Sequence, residues 1–265
     1  MTAASSPDPI PLREKVEPFA SFGVEAFTTT RAAGDYGLGE NEPPAEALAR
    51  WHALQVELAE IAPRLVSARQ VHGAKVLEHR AGTAAGGGDP VGAGGAGDPV
   101  GASGVGYHGW TRHQGADGHL TFARGVACVV TVADCVPVFI AHPSGAVALL
   151  HAGWRGTASR SVERGIARMI DQGLDAADLK VHFGPAICGR CYQVGPDVFE
   201  QLTGWQTIRN RHVDLRALLS EQAREMGVRQ LSASPHCTKC DNDRFFSHRA
   251  GDSGRQVAVI VSGAG

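Results

Sequence analysis

An α/β domain with mixed sheets is the fold class that this 265-residue chain predicts. Short β-rich runs and amphipathic stretches are interleaved along it, but without the strict alternation of a doubly wound parallel sheet. Apolar residues make up 43% against 20% charged, which is ordinary for a domain with a real core. At this length roughly three quarters of the unfolded surface can be buried, and a single domain over residues 1–265 is expected.

Taken in order, Phe22 to Thr30 reads as a strand. Pro43 and Pro44 then open a helix over 44–61, with Leu48, Trp51, Leu54, Leu58 and Ile61 at three- and four-residue spacing on its apolar face. Arg64 to Glu78 reads as one strand. From 81 to 106 the chain holds eleven glycines and a near-repeat, GDPVGAGGA followed by GDPVGASGV. With almost no bulky side chain to bury, that segment cannot offset its ordering entropy, so a mobile insertion is expected. Leu120 to Phe122, Val126 to Val132, Val136 to Ala141 (broken at Pro137) and Val147 to His151 follow as strands. A helix from about Thr157 to Gln172 stops at Gly173, Val181 to Phe183 is a strand, 213–226 a helix closed at Gly227, and Arg255 to Val261 a last strand.

Charge and apolar length exclude some functions. Lys and Arg number 25 against 27 Asp and Glu, a formal charge of −2, which argues against an electrostatic grip on nucleic acid. No run of about 18 apolar residues occurs, and the opening MTAASSPDPIPLREK lacks a signal-peptide core, so neither a membrane span nor export is expected and a cytoplasmic location is. In a reducing compartment the cysteines at 128, 135, 188, 191, 237 and 240 read as buried thiols, metal ligands or a nucleophile rather than disulfides.

Three short blocks place a soft or borderline donor beside turn-forming residues at the end of an apolar strand: RQVHG with His72, VADCVPV with Cys135 and LLHAGWRG with His151. Two imidazoles and a thiolate suit zinc and leave a fourth position open, the arrangement of a catalytic site; unrelated core residues are the alternative. Cys135 beside a His could also be a nucleophile. Asp134 is either a partner for a ligand His or a buried turn former.

Together with GPAICGRCYQVGPDV at 184–198 and CTKCDNDRFFSHR at 237–249, these blocks resemble, in order, those of the YfiH-like or laccase-domain family. The resemblance runs from about Phe27 to the C-terminus. It implies an α/β/β/α sandwich with mixed sheets, in the group shared with the cytotoxic-necrotising-factor catalytic domain. It also implies zinc on His72, Cys135 and His151, and phosphorolysis or deamination of adenosine, inosine, guanosine or methylthioadenosine, with phosphate or water as co-substrate. Phosphorolysis needs a phosphate held near C1′ of the ribose, and Arg offers a planar, permanently charged fork. Arg155, at the start of the helix after the His151 block, is the first candidate; Arg31 and Arg249 are weaker ones. Two departures bear on substrate preference: YGLGENEP stands where the family has an Asn-Leu-Gly element, and Arg249-Ala250 where it has Arg-Arg.

Rival readings are a Cys135-centred hydrolase, for which the resemblance implies editing of peptidoglycan precursors, a copper-dependent polyphenol oxidase, and a non-enzymatic zinc-stabilised binding protein. The 12 His stand singly with no His-x-His, which makes a four-copper cluster hard to build, although adventitious copper could enter a three-ligand zinc site. The CGRC and CTKC pairs, 45 residues apart, read as paired buried thiols near the cleft in preference to a four-thiolate zinc site. No long apolar stripe is left over after the core is assigned, so a monomer is expected.

Overall fold

The computed structural model describes residues 11–39, 44–81, 106–107 and 109–263. The glycine-rich insertion expected at 81–106 lies, but for its two ends, outside them.

In chain order the elements are β1 (Arg13–Lys15), β2 (Glu25–Thr29), α1 (Ala45–Leu58), β3 (Arg64–Arg69), β4 (Val76–His79), β5 (Gly106–Tyr107), β6 (Trp110–Gln114), β7 (Gly118–Thr121), β8 (Val126–Val132), β9 (Val136–Ala141) and β10 (Val147–Ala152). The second half adds α2 (Trp154–Ala158), α3 (Ser161–Asp171), β11 (Lys180–Phe183), β12 (Gln193–Val194), α4 (Pro196–Thr203), β13 (Arg211–His212), α5 (Leu215–Glu225), β14 (Gln230–Ala233) and β15 (Gln256–Val261). Seven strands form one sheet in the order β1-β2-β15-β8-β3-β6-β5, six form a second in the order β14-β11-β9-β10-β7-β4, and β12 pairs with β13. Both large sheets are mixed: β3 runs parallel to β6 and β8, β4 to β7 and β11 to β14, with the other neighbours antiparallel.

Period-2 alternation builds the layers. On β8 and β15, Cys128, Val130, Ala258 and Ile260 face the second sheet, where they meet Phe139, Val147 and Leu149. Ala127, Val129, Val257 and Val259 face the other way, onto Trp51, Leu54 and Leu58 of α1. There Trp51 stacks on Trp110 at a 4.7 Å centroid separation and donates its indole N–H to the Tyr36 carbonyl. On the far side, Val138, Ile140, Ala148 and Leu150 of the second sheet pack against Val162, Ile166 and Met169 of α3 and Leu219 and Ala223 of α5. The order of layers is therefore helix, sheet, sheet, helix, as expected.

Several elements differ from the sequence reading. The strand expected over Arg64–Glu78 is two strands in different sheets, parted by a turn at 70–75. The helix expected from Thr157 is α2 and α3, separated where Arg160 takes a left-handed φ of 55°. Pro137 does not break its strand: it lies at the start of β9, beyond the last β11 pair, and its carbonyl accepts from Gly184 N–H. Helix α5 is capped by Asp214, whose carboxylate accepts from Ala217 N–H. The short strands β6 and β14 and the helix α4 carried too little periodicity to be read.

Candidate metal and active site

β9 and β10 are antiparallel neighbours, with Pro137 opposite His151 and Val136 opposite Ala152. Their alternation puts Val147 and Leu149 on the inter-sheet side, and His151 continues that face at the strand's end. Cys135 precedes β9 with the same parity as Phe139. His72 arrives from the first sheet on the turn after β3, with a φ of 59°. Gln70 ties that turn to the end of β8: its Oε1 accepts from Thr131 N–H and Oγ1–H at 2.8 Å each, and its amide donates to the Thr131 carbonyl.

The three sequence-predicted ligands thus meet at one end of the sandwich. Their donor atoms lie within 4.8 Å of one another, and the two imidazole rings are 4.9 Å apart, edge to face. Asp117, missed by the sequence reading, organises two of them. Its buried carboxylate accepts from the N–H groups of Val71, His72 and Gly73 at 3.2, 2.9 and 2.7 Å and from His151 Nδ1–H at 2.9 Å. The left-handed conformation at His72 directs three successive N–H groups at one anion. Holding Nδ1 leaves His151 Nε2 for a ligand, the carboxylate–histidine–metal relation.

The electrostatics follow from burial and proximity. Burial works to raise the Asp117 pKa, but the His151 hydrogen bond and the Gly73 N–H outweigh it and hold the carboxyl below its usual range. Burial would also raise the Cys135 thiol; the charge of His151 and hydrogen bonds from His151 and His72 bring it down to about 6. For His151 burial favours the neutral form, yet the Cys135 thiolate and the Asp117 hydrogen bond raise it to about 9.

These residues fit a metal. Two imidazoles and a thiolate converge, one imidazole is already oriented, and Gly153 leaves space for the sulfur: a Cβ there would stand 2.7 Å from Cys135 Sγ and 3.6 Å from His72 Cδ2. The donor set accommodates zinc and copper alike.

Asp134 is not the partner of a ligand histidine. Its carboxylate accepts from Thr238 Oγ1–H at 2.6 Å and Arg249 N–H at 2.8 Å, so it braces the turn before Cys135. Tyr192, in the GRCYQV segment, lies within electrostatic reach of that turn. Its hydroxyl pKa is pushed up to about 12, by burial first and then by the charges of Cys135 and Asp134, against the opposing Arg249 and Arg155. Arg155 is exposed in the first turn of α2, 4.3 Å from the Trp154 ring centroid, and makes no ion pair among the described residues. The Arg249 guanidinium lies 5.0 Å from the Tyr192 ring and donates to the Gln193 carbonyl. Arg31 donates to the Asn242 and Phe245 carbonyls, pairs with Asp252 at 2.6 Å and lies over Phe246.

The fold and this pocket define a class: a two-sheet α/β/β/α domain with an N₂S donor set between the sheet ends. A family model described as multi-copper polyphenol oxidoreductase laccase matches residues 28–263, and the chain belongs to that family. It superposes on YlmD from Geobacillus stearothermophilus with a TM-score of 0.74, 28% identity, and 92% and 93% of the two chains covered. The YfiH protein of Bacillus licheniformis gives a TM-score of 0.76 at 24% identity, over 95% and 96%, a likeness of fold.

Among named relatives, a purine nucleoside phosphorylase of Streptomyces coelicolor is 35% identical over 155 residues, 54% of this chain and 63% of its own length. An adenosine deaminase from an unknown prokaryotic organism is 34% identical over 150 residues, 51% of this chain and 57% of its own. These matches span less than two thirds of those relatives. A purine nucleoside phosphorylase of Mycobacterium bovis is 28% identical over 259 residues, 91% and 92% of the two chains.

Proposed function

We propose that this chain is a zinc enzyme of purine nucleosides: it cleaves adenosine, inosine, guanosine and methylthioadenosine with phosphate, and deaminates adenosine with water. The observation that carries this reading is the convergence of His72, Cys135 and His151, with Tyr192, Arg155 and Arg249 within electrostatic reach. The names of its relatives support the substrate class. His72, Cys135 and His151 would hold the metal, and the chemistry it supplies when bound is Lewis acidity that makes water a nucleophile at neutral pH. Asp117 keeps the His151 ring in one tautomer and orientation. Arg155 and Arg249 would take the phosphate dianion through their planar forks and hold it against the ribose, while Tyr192 presents a ring and a neutral hydroxyl to the nucleoside. The reading places the enzyme in the cytoplasm, working as a monomer on small molecules, with neither nucleic acid nor membrane as partner; the −2 formal charge supports the absence of a nucleic-acid partner.

A second reading rests on the chain Cys135–His151–Asp117, which orders nucleophile, base and carboxylate as a thiol hydrolase does. Product analysis separates the two. Zinc-loaded protein incubated with adenosine is expected to yield adenine and ribose 1-phosphate only when phosphate is present, and inosine with or without it. The folded Cys135→Ala and His72→Ala variants are expected to yield none of these. Absence of all these products from the parent protein overturns the nucleoside reading; full turnover by Cys135→Ala would remove Cys135 from the mechanism.

A further inference from the structure

Four of the five cysteines outside the His72–Cys135–His151 site also meet. β11 and β14 are parallel neighbours, Phe183 opposite Ala233, so the turns that follow them carry CGRC and CTKC side by side although 45 residues of chain separate the pairs. The sulfurs of Cys188, Cys191, Cys237 and Cys240 all lie within 4.8 Å of one another, with Cys191 Sγ and Cys240 Sγ 3.4 Å apart. This corrects the expectation of paired buried thiols: Cys188 and Cys191 are only partly buried and Cys240 is exposed. A tetrahedron with metal–sulfur bonds of about 2.3 Å has sulfur–sulfur edges of about 3.8 Å, so the cluster needs little adjustment to close around one ion.

Both turns are shaped as ligand turns. The N–H groups of Cys240 and Cys188 donate to Cys237 Sγ at 3.4 and 3.3 Å, and the Cys191 N–H closes its own turn on the Cys188 carbonyl at 3.0 Å. Two backbone donors on one sulfur are the contacts a ligating thiolate receives in a Cys-x-x-Cys turn. Each loop also carries one cation, Arg190 or Lys239, against the net negative charge that four thiolates keep around a divalent ion.

The cluster joins segments bonded to the turn that carries Cys135. Tyr192 follows Cys191 directly and its N–H donates to the Cys188 carbonyl. Thr238 N–H donates to the Ala186 carbonyl while its hydroxyl holds Asp134, and Ile187 N–H donates to the Asp134 carbonyl, one residue before Cys135.

We propose that Cys188, Cys191, Cys237 and Cys240 form a second metal centre, a closed tetrathiolate zinc site that clamps the two turns and so fixes the segment carrying Tyr192 and the Asp134–Cys135 turn. Closed four-sulfur coordination leaves no position for substrate, so its work is structural. The test does not depend on nucleoside turnover. Protein reduced, loaded with zinc(II) and freed of excess is expected to carry two zinc ions per chain. A His72→Ala/Cys135→Ala variant is expected to carry one, and after cobalt(II) exchange to show the visible bands of an all-thiolate tetrahedral ion. A Cys191→Ser/Cys240→Ser variant is expected to lose one equivalent and to melt at lower temperature. A folded His72→Ala/Cys135→Ala protein that binds neither ion, or whose cobalt spectrum lacks thiolate character, overturns the proposal. So does mass spectrometry finding these four cysteines in disulfides after purification under reducing conditions.

Discussion

Asp117 holds one carboxylate against three consecutive N–H groups and one imidazole, and that fixes its role more firmly than its sequence context could. Asn would offer a single acceptor oxygen and point an N–H₂ at donors. The loop amides left unpaired would each cost about 1–3 kcal/mol, and His151 would lose its orientation. Asp117→Asn is therefore expected to weaken zinc binding by roughly 10- to 100-fold, read by competition with a chromophoric chelator; an unchanged affinity would remove Asp117 from the site. His72, Cys135 and His151 were legible because each sits in a short block of strand end and turn. Asp117 was not, because its partners are 34 to 46 residues away.

The junction between β10 and α2 turns on Gly153. Its φ of −81° is open to any residue, so the glycine is there for space. Gly153→Ala is expected to keep the backbone and displace the Cys135 sulfur: zinc content falls while the metal-free protein melts close to the parent. Parent-level zinc content in that variant would show that the thiol has room to move. The same scale explains the two misread elements. Periodicity joins Arg64–Glu78 into one strand and Thr157–Gln172 into one helix, because local pattern carries no record of where distant groups bind. The turn at 70–75 is drawn out by Asp117 from below and Gln70 from the β8 side, and the helix is interrupted at Arg160, which reaches both Glu163 and Glu225.

Across the molecule, buried imidazoles link stability to pH. His79, stacked beside His119 with a 2.9 Å ring–ring hydrogen bond, is pushed down to about 3 by burial and then by His113 and Arg64. His119 lies well below the ordinary value, again chiefly by burial, and His182 falls to about 4 through burial and the Arg216 charge. The unfolded chain takes up these protons near pH 6.5 and the folded one does not, so stability is full above about 6.5 and declines as pH falls toward 4. The slope is up to about 1.4 kcal/mol per pH unit for each imidazole. The Cys135–His151 pair adds little to it, since each gains what the other gives up. Urea denaturation at pH 7.5, 6 and 5 checks this; a midpoint that stays constant over that range would contradict it. Among the described residues no helix is long and apolar enough to cross a membrane.

The sequence by itself determined the fold class, most of the central strands, helix α1 and the three candidate ligands, because strand and helix periods and turn-flanked donors are local properties. It also displayed two CxxC pairs without showing that they meet. Only the tertiary structure decided that Asp117 rather than Asp134 holds His151, that Arg31 pairs with Asp252, that Tyr192 comes within electrostatic reach of Cys135 and that four thiols converge. The physical reason is the same in each case: hydrogen bonds, charge and donor geometry act between atoms a few ångströms apart. Here the mixed sheets bring together segments separated by tens to hundreds of residues, a juxtaposition set by strand order and register, not by any neighbour in the chain.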